Sequence, residues 1–168
     1  MIIKINLNKG FGIVEALIGI TIAALLLSAF TTLIWQTIKI NNANAKDFKA
    51  TMYLQELIEI SRDLEQTSAG WQTLANTSCN SSSPCYPVVS GSDWTLVSDP
   101  SKQTLENNTY TRWLIIENVQ RDPITNEIVT SGGVDDPNTK KVKAEINWNN
   151  GFQDKVMKLE TYVYNYNP

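Results

Sequence analysis

Histidine is absent from all 168 residues. The commonest general base, the commonest zinc ligand and the usual pH-sensing side chain are therefore missing together. Also missing are a G-x-x-x-x-G-K-[ST] phosphate loop, a G-x-S-x-G nucleophile turn, a G-x-G-x-x-G dinucleotide fingerprint and any cluster with metal-ligand spacing. Catalysis has no constellation to rest on, and the sequence points away from an enzyme. The adjacent acids Asp135 and Asp136 lie in turn-rich sequence, where neighbouring carboxylates carry little meaning.

Proline is absent before Pro84, and charge is absent from Ala16 to Ile38. Cysteine is limited to Cys79 and Cys85, in the Ser-rich stretch TSCNSSSPCY. A C-x5-C spacing without further ligands is poor for zinc and suits a small disulfide loop in an oxidising compartment; two free, inert thiols are the alternative. Net charge is −3, and from Lys46 onward 11 Lys and Arg face 16 Asp and Glu. That part is mildly acidic, so nucleic acid is not expected as its main partner. The length suits one compact domain plus a membrane segment.

What is present is an apolar run. The 23 uncharged residues Ala16 to Ile38 would span about 34 Å as a helix, enough to cross a bilayer core. Lys4 and Lys9 precede it and favour a cytoplasmic N-terminus, which places the later residues outside the cytoplasm. Glu15 is the anomaly, a carboxylate at the start of the run. A cleaved secretory signal with Ala43-Asn44-Ala45 as its cleavage site fits poorly, because the run exceeds a typical h-region and the acid opposes insertion. A plain single-pass anchor leaves Glu15 unexplained. Cleavage between Gly10 and Phe11 would explain it. The new α-amine would offset an acid that otherwise costs on the order of 3 kcal/mol at mid-bilayer, and the amine of one chain could meet the Glu15 of a neighbour.

The stretch Lys9-Gly10-Phe11-Gly12-Ile13-Val14-Glu15-Ala16-Leu17-Ile18 resembles the class III leader and N-terminal region of type IV pilins and pseudopilins. Their pattern is a basic leader, a glycine, a usually methylated Phe, a spaced Glu and an apolar helix. The sequence departs from it at Gly12, where Thr or Ser is common. It departs again at Gly19, which loosens a helix by about 1 kcal/mol relative to Ala. The resemblance implies cleavage by prepilin peptidase after Gly10, N-methylation of Phe11, and assembly guided by Glu15. The implied partners are that peptidase, an inner-membrane assembly platform and other pilins or pseudopilins in a filament.

Beyond the bilayer, Ala50, Leu54, Leu57, Ser61 and Leu64 recur at helical spacing with Ile58 beside them, opposite Lys49, Glu56, Glu59 and Asp63. One helix from Phe11 to about Thr67 is expected, with Gly70 as its C-terminal stop. Its parts are a leader over 1–10, a membrane or filament-core helix over 11–38 and an amphipathic continuation over 39–67. An extracytoplasmic head follows over 68–168.

Lys140 to Trp148 alternates, with Val142, Ala144, Ile146 and Trp148 on one face, and the turn Asn149-Asn150-Gly151 leads into a returning strand over 155–166. The 110–119 stretch reads as a central strand. Residues 121–139 read as loop with a short strand near 127–130, and residues 68–109 as surface loop structure with a short strand at 94–97. Asp122, Asp135 and Asp136 are candidate calcium ligands, though turn-forming Asp is the simpler account and no cofactor is expected. The expected fold class is α+β and pilin-like, a long helix packed on a small antiparallel sheet. The expected function is a filament subunit, of minor type because of its long loops and five Trp. The alternative is a tip subunit whose head binds a surface, DNA or a secreted substrate through 68–109.

Overall fold

The computed structural model describes residues 12–91, 93–98, 104–107 and 109–166. Its layout is α+β: one long N-terminal helix and antiparallel sheets. The chain divides between Asn41 and Asn42 into two compact units.

Helix α1 (Ile13–Glu65) begins in the first unit. No proline interrupts it, and Leu and Ala are strong helix formers. Every residue from Gly12 to Asn42 is exposed, and large apolar side chains occur all round the helix rather than along one stripe. A helix apolar on every side is built for burial or for lipid. Four of its hydroxyls bond back to the helix: Thr21 donates to Leu17 O at 2.7 Å, Thr31 and Thr32 to Ser28 O and Thr37 to Leu33 O, each at 2.9 Å. α1 is long and apolar enough to cross a membrane.

In the second unit the end of α1 becomes amphipathic. Ala50, Leu54, Leu57, Ile58, Ser61 and Leu64 are buried, as the spacing predicts, and Ile60 joins them. Lys49, Glu59 and Asp63 face solvent, and Glu56 is half-buried. α1 stops at Glu65, and Gly70 is not its stop. Thr67 instead caps a second helix, α2 (Ser68–Asn76), by accepting the Gly70 N–H at 3.0 Å. Gly70 lies in that first turn, where an added Cβ would come within 2.3 Å of Leu64 O. Glycine is there because two turns of backbone meet.

The strands are β1 (Tyr86–Ser90), β2 (Asp93–Val97), β3 (Thr104–Leu105), β4 (Tyr110–Arg121), β5 (Ile128–Val129), β6 (Val134–Asn149) and β7 (Asp154–Tyr164). β1 and β2 form a separate hairpin, while the main sheet has the order β3-β4-β6-β7 with β5 also on β4. β4 lies between β6 and the short segments β3 and β5, and it buries Tyr110, Arg112, Leu114, Ile115 and Val119. The β6–β7 hairpin forms as expected, with Gly151 at φ 98° in its turn. Val142, Ala144, Ile146 and Trp148 enter one core with the α1 face, Leu114 and Val163.

Two stretches expected as loop contribute structure. Within 68–109 the chain forms α2, the β1–β2 hairpin and β3, and it buries Trp71, Leu74, Cys79, Cys85 and Leu96 in the core. Trp71 and Trp148 are core residues, and Trp94 and Trp113 are half-buried. In 121–139, β6 already begins at Val134. The ladder jumps from Asn118↔Lys140 to Val119↔Asp136, and Pro137 falls in that irregularity, where no ladder hydrogen bond is asked of it.

Candidate functional site

The first turn of α1 places Glu15 where the sequence pattern puts it. The N–H groups of Glu15 and Ala16 both donate to Gly12 O, at 2.9 and 3.2 Å. A carboxylate in a first turn is favoured by the unpaired N–H groups there. Glu15 is the only charged residue among residues 12–38. Gly10 and Phe11, the residues of the expected cleavage and methylation, lie outside the described residues.

At 3.6 residues per turn, Gly12, Glu15, Ala16, Gly19 and Ala23 fall within about a third of the helix circumference. A Cβ built on Gly12 or Gly19 would meet nothing within 4 Å, so packing within the chain does not require glycine at either place. Small residues on one face let another helix backbone come close, the arrangement that membrane helices use to pack. Sequence reasoning treated the two glycines as departures from a motif. The signal that unites them with Glu15 is the three-and-four spacing.

Cys79 and Cys85 are bonded to each other, with Cα atoms 5.1 Å apart, and both are buried. The loop they close is stitched to β4: Cys85 and Leu114 exchange backbone hydrogen bonds of 2.9 and 2.8 Å, and Ile116 N–H donates to Cys79 O at 2.7 Å.

The three acids considered for calcium have other partners. Asp122 accepts the N–H groups of Ile124 and Thr125 at 2.7 and 2.9 Å, and these bonds hold its carboxyl below the usual range. Asp136 takes Arg121 Nε and Thr139 Oγ1, each at 2.6 Å, and the Asn138 N–H. Burial pushes its pKa up, but those donors outweigh it and the net direction is down. Asp135 accepts from Gln120 at 3.1 Å. Among the described residues no group of three or more His, Cys, Asp or Glu is placed to hold a metal. Asp122 braces a turn, whereas Asp135 and Asp136 tie β6 to β4.

Between helix and sheet, Arg112 is buried and reaches Glu56 at 2.7 Å and Tyr53 O at 3.2 Å, while Glu106 accepts from Lys49 and from the Tyr53 hydroxyl, each at 2.8 Å. These contacts fasten α1 to β4 and to the turn before it. An open groove of about 740 Å³ lies on the solvent face of the sheet. Several of its polar groups are paired: Lys141 with Glu160, Glu117 with Lys143 and Gln120 with Asp135.

Comparison with models of protein families, with curated proteins and with solved structures finds no match.

Proposed function

We propose that this chain is a structural subunit, of minor type, of a type IV pilus or a type II secretion-like pseudopilus. The observation that carries the reading is Glu15, the only charge among residues 12–38 of an exposed apolar helix segment, on the same face as Gly12, Ala16, Gly19 and Ala23. In an isolated anchor both the acid and the open glycines are liabilities. In a bundle of like helices they become useful: the glycines admit a neighbouring backbone, and the acid meets a terminal amine. Close packing and neutralisation of Glu15 then drive assembly, since lipid and neighbouring helices are about equally apolar.

In this reading the chain is inserted with its N-terminus in the cytoplasm and its head outside. Prepilin peptidase cuts after Gly10 and methylates the Phe11 amine, and the assembly platform draws the helix into a filament. The oxidised Cys79–Cys85 pair suits a head outside the cytoplasm. α1 also runs unbroken through Ala43-Asn44-Ala45, with Ala43 buried in the head, which disfavours signal cleavage there. The role is architectural, not catalytic. Mass spectrometry of the purified chain tests it: the expected N-terminus is N-methylated Phe11, and a chain still starting at Met1 would overturn it.

A further inference from the structure

The two outer edges of the main sheet are treated differently. Along β4 the edge is covered by three short segments, β3 at Thr111 and Tyr110, the disulfide loop at Leu114 and Ile116, and β5 at Gln120 and Arg121. β7, the opposite edge, pairs with β6 alone among the described strands. Its end fixes which groups face outward. Asn165 N–H donates inward to Asn138 O, and Tyr164 N–H donates to the Glu65 carboxylate on α1 rather than to β6. Alternation then turns the N–H and C=O of residues 156, 158, 160 and 162 away from β6.

The side chains beside these groups form a self-complementary code. β6 and β7 pair Glu145 with Lys158 and Lys143 with Glu160, so charge already alternates across the sheet. Let a second β7 run antiparallel about a two-fold axis through Leu159. Lys158 then faces Glu160 of the other copy, Val156 faces Tyr162, and the alternation continues unbroken. Move the axis to Lys158 or Glu160 and like charges face each other. At Met157, Asp154 would face Glu160, and at Thr161 no charges pair. Leu159 is 41% exposed and Tyr162 39%, so both are open to a partner.

We infer that β7 is a homophilic edge, through which two copies of this chain join their sheets antiparallel about Leu159. The Asn42–Glu65 part of α1 runs along β7, from Asp47 at Lys155 to Glu65 at Tyr164. A two-fold axis normal to the sheet reverses that direction in the partner. The contact therefore joins two chains whose Asn42–Glu65 helix segments run in opposite directions. The pairing itself does not depend on the leader being cleaved.

The experiment uses the full chain in detergent micelles. Leu159→Cys places two thiols across the axis, at a non-hydrogen-bonded pair with Cα atoms about 4.5 Å apart, within disulfide reach. Val156→Cys, also exposed, would leave them about 20 Å apart. Because Cys79 and Cys85 are bonded to each other, each variant carries one free thiol. Under mild oxidation Leu159→Cys should form covalent dimer severalfold faster than Val156→Cys. Leu159→Lys, which sets two ammonium groups face to face, should abolish non-covalent dimer in light scattering while the circular dichroism stays native. Equal cross-linking of the two cysteine variants, or wild-type association by Leu159→Lys, would overturn the proposal.

Discussion

Asp47 on α1 and Trp148 on β6 lie 101 positions apart, yet the Trp148 indole N–H donates to Asp47 Oδ1 at 2.9 Å. The other carboxylate oxygen holds Lys155 of β7. One short acid thus fixes the helix across two strands of the hairpin. Replacing it by Ala leaves a buried indole N–H without its partner, an effect of about 1–3 kcal/mol. Urea denaturation of Asp47→Ala should show that loss, and Asp47→Asn, which keeps an acceptor, should show less.

The same acid gives the head an acid-sensitive term. Burial pushes the Asp47 carboxyl up, but hydrogen bonds from Lys155 and Trp148 and the Lys155 charge outweigh it, leaving the pKa below its ordinary 3.8. As pH falls past 3.8 the unfolded chain takes up the proton first. The stabilisation is therefore complete above 3.8 and drains away below it. Melting temperature measured from pH 5 to pH 2 should fall less steeply for Asp47→Asn than for the wild type.

The disulfide closes a short loop whose ends are hydrogen-bonded to β4. By loop entropy, its removal in Cys79→Ala/Cys85→Ala should destabilise the head by about 2 kcal/mol. Because the loop also covers part of the β4 edge, hydrogen exchange at Leu114 and Ile116 should accelerate more than at Val142 on β6.

Two glycines in helices should respond in opposite ways. Gly70→Ala drives a methyl into Leu64 backbone and should lower stability by about 1–3 kcal/mol. Gly19→Ala meets open space and should stiffen α1 by about 1 kcal/mol without touching the head. Gly19→Leu should leave the urea midpoint of the head unchanged while reducing recovery of the chain in sheared filaments, because it fills the face offered to a neighbour.

Glu15→Ala removes the acid but none of the apolar surface. The variant should insert in membranes at the wild-type level and be recovered in sheared filaments at roughly a tenth of it, which corresponds to about 1.4 kcal/mol. Wild-type recovery would count against an assembly role for Glu15.

The sequence made some of this legible because periodicity reports burial directly. The α1 face from Ala50 to Leu64 and the alternation from Val142 to Trp148 are each dictated by a single packing partner. Trp71 and Leu74 were harder to place, since they sit among Ser, Thr and Asn on a helix of nine residues, too short for its spacing to stand out, and are buried by distant strands. Gly70 misled for a related reason. Glycine ends many helices, but here it is selected by the Leu64 backbone pressed against it. β6 reaches back to Val134 through Pro137 only because the ladder skips that residue, a matter of tertiary register. Arg112, by composition a surface residue, is buried because Glu56 and Tyr53 O receive it. The three-and-four spacing of Gly12, Glu15, Ala16 and Gly19 lies in the sequence, whereas the open space around Gly12 and Gly19 needed three dimensions.

The patchwork along β4 sets a limit on what this sheet can build. With that flank stoppered by β3, the disulfide loop and β5, β7 is the side left for an added strand among the described strands of this sheet. Two sheets that meet there use up each other's vacancy, so growth of this sheet through β7 halts at a pair.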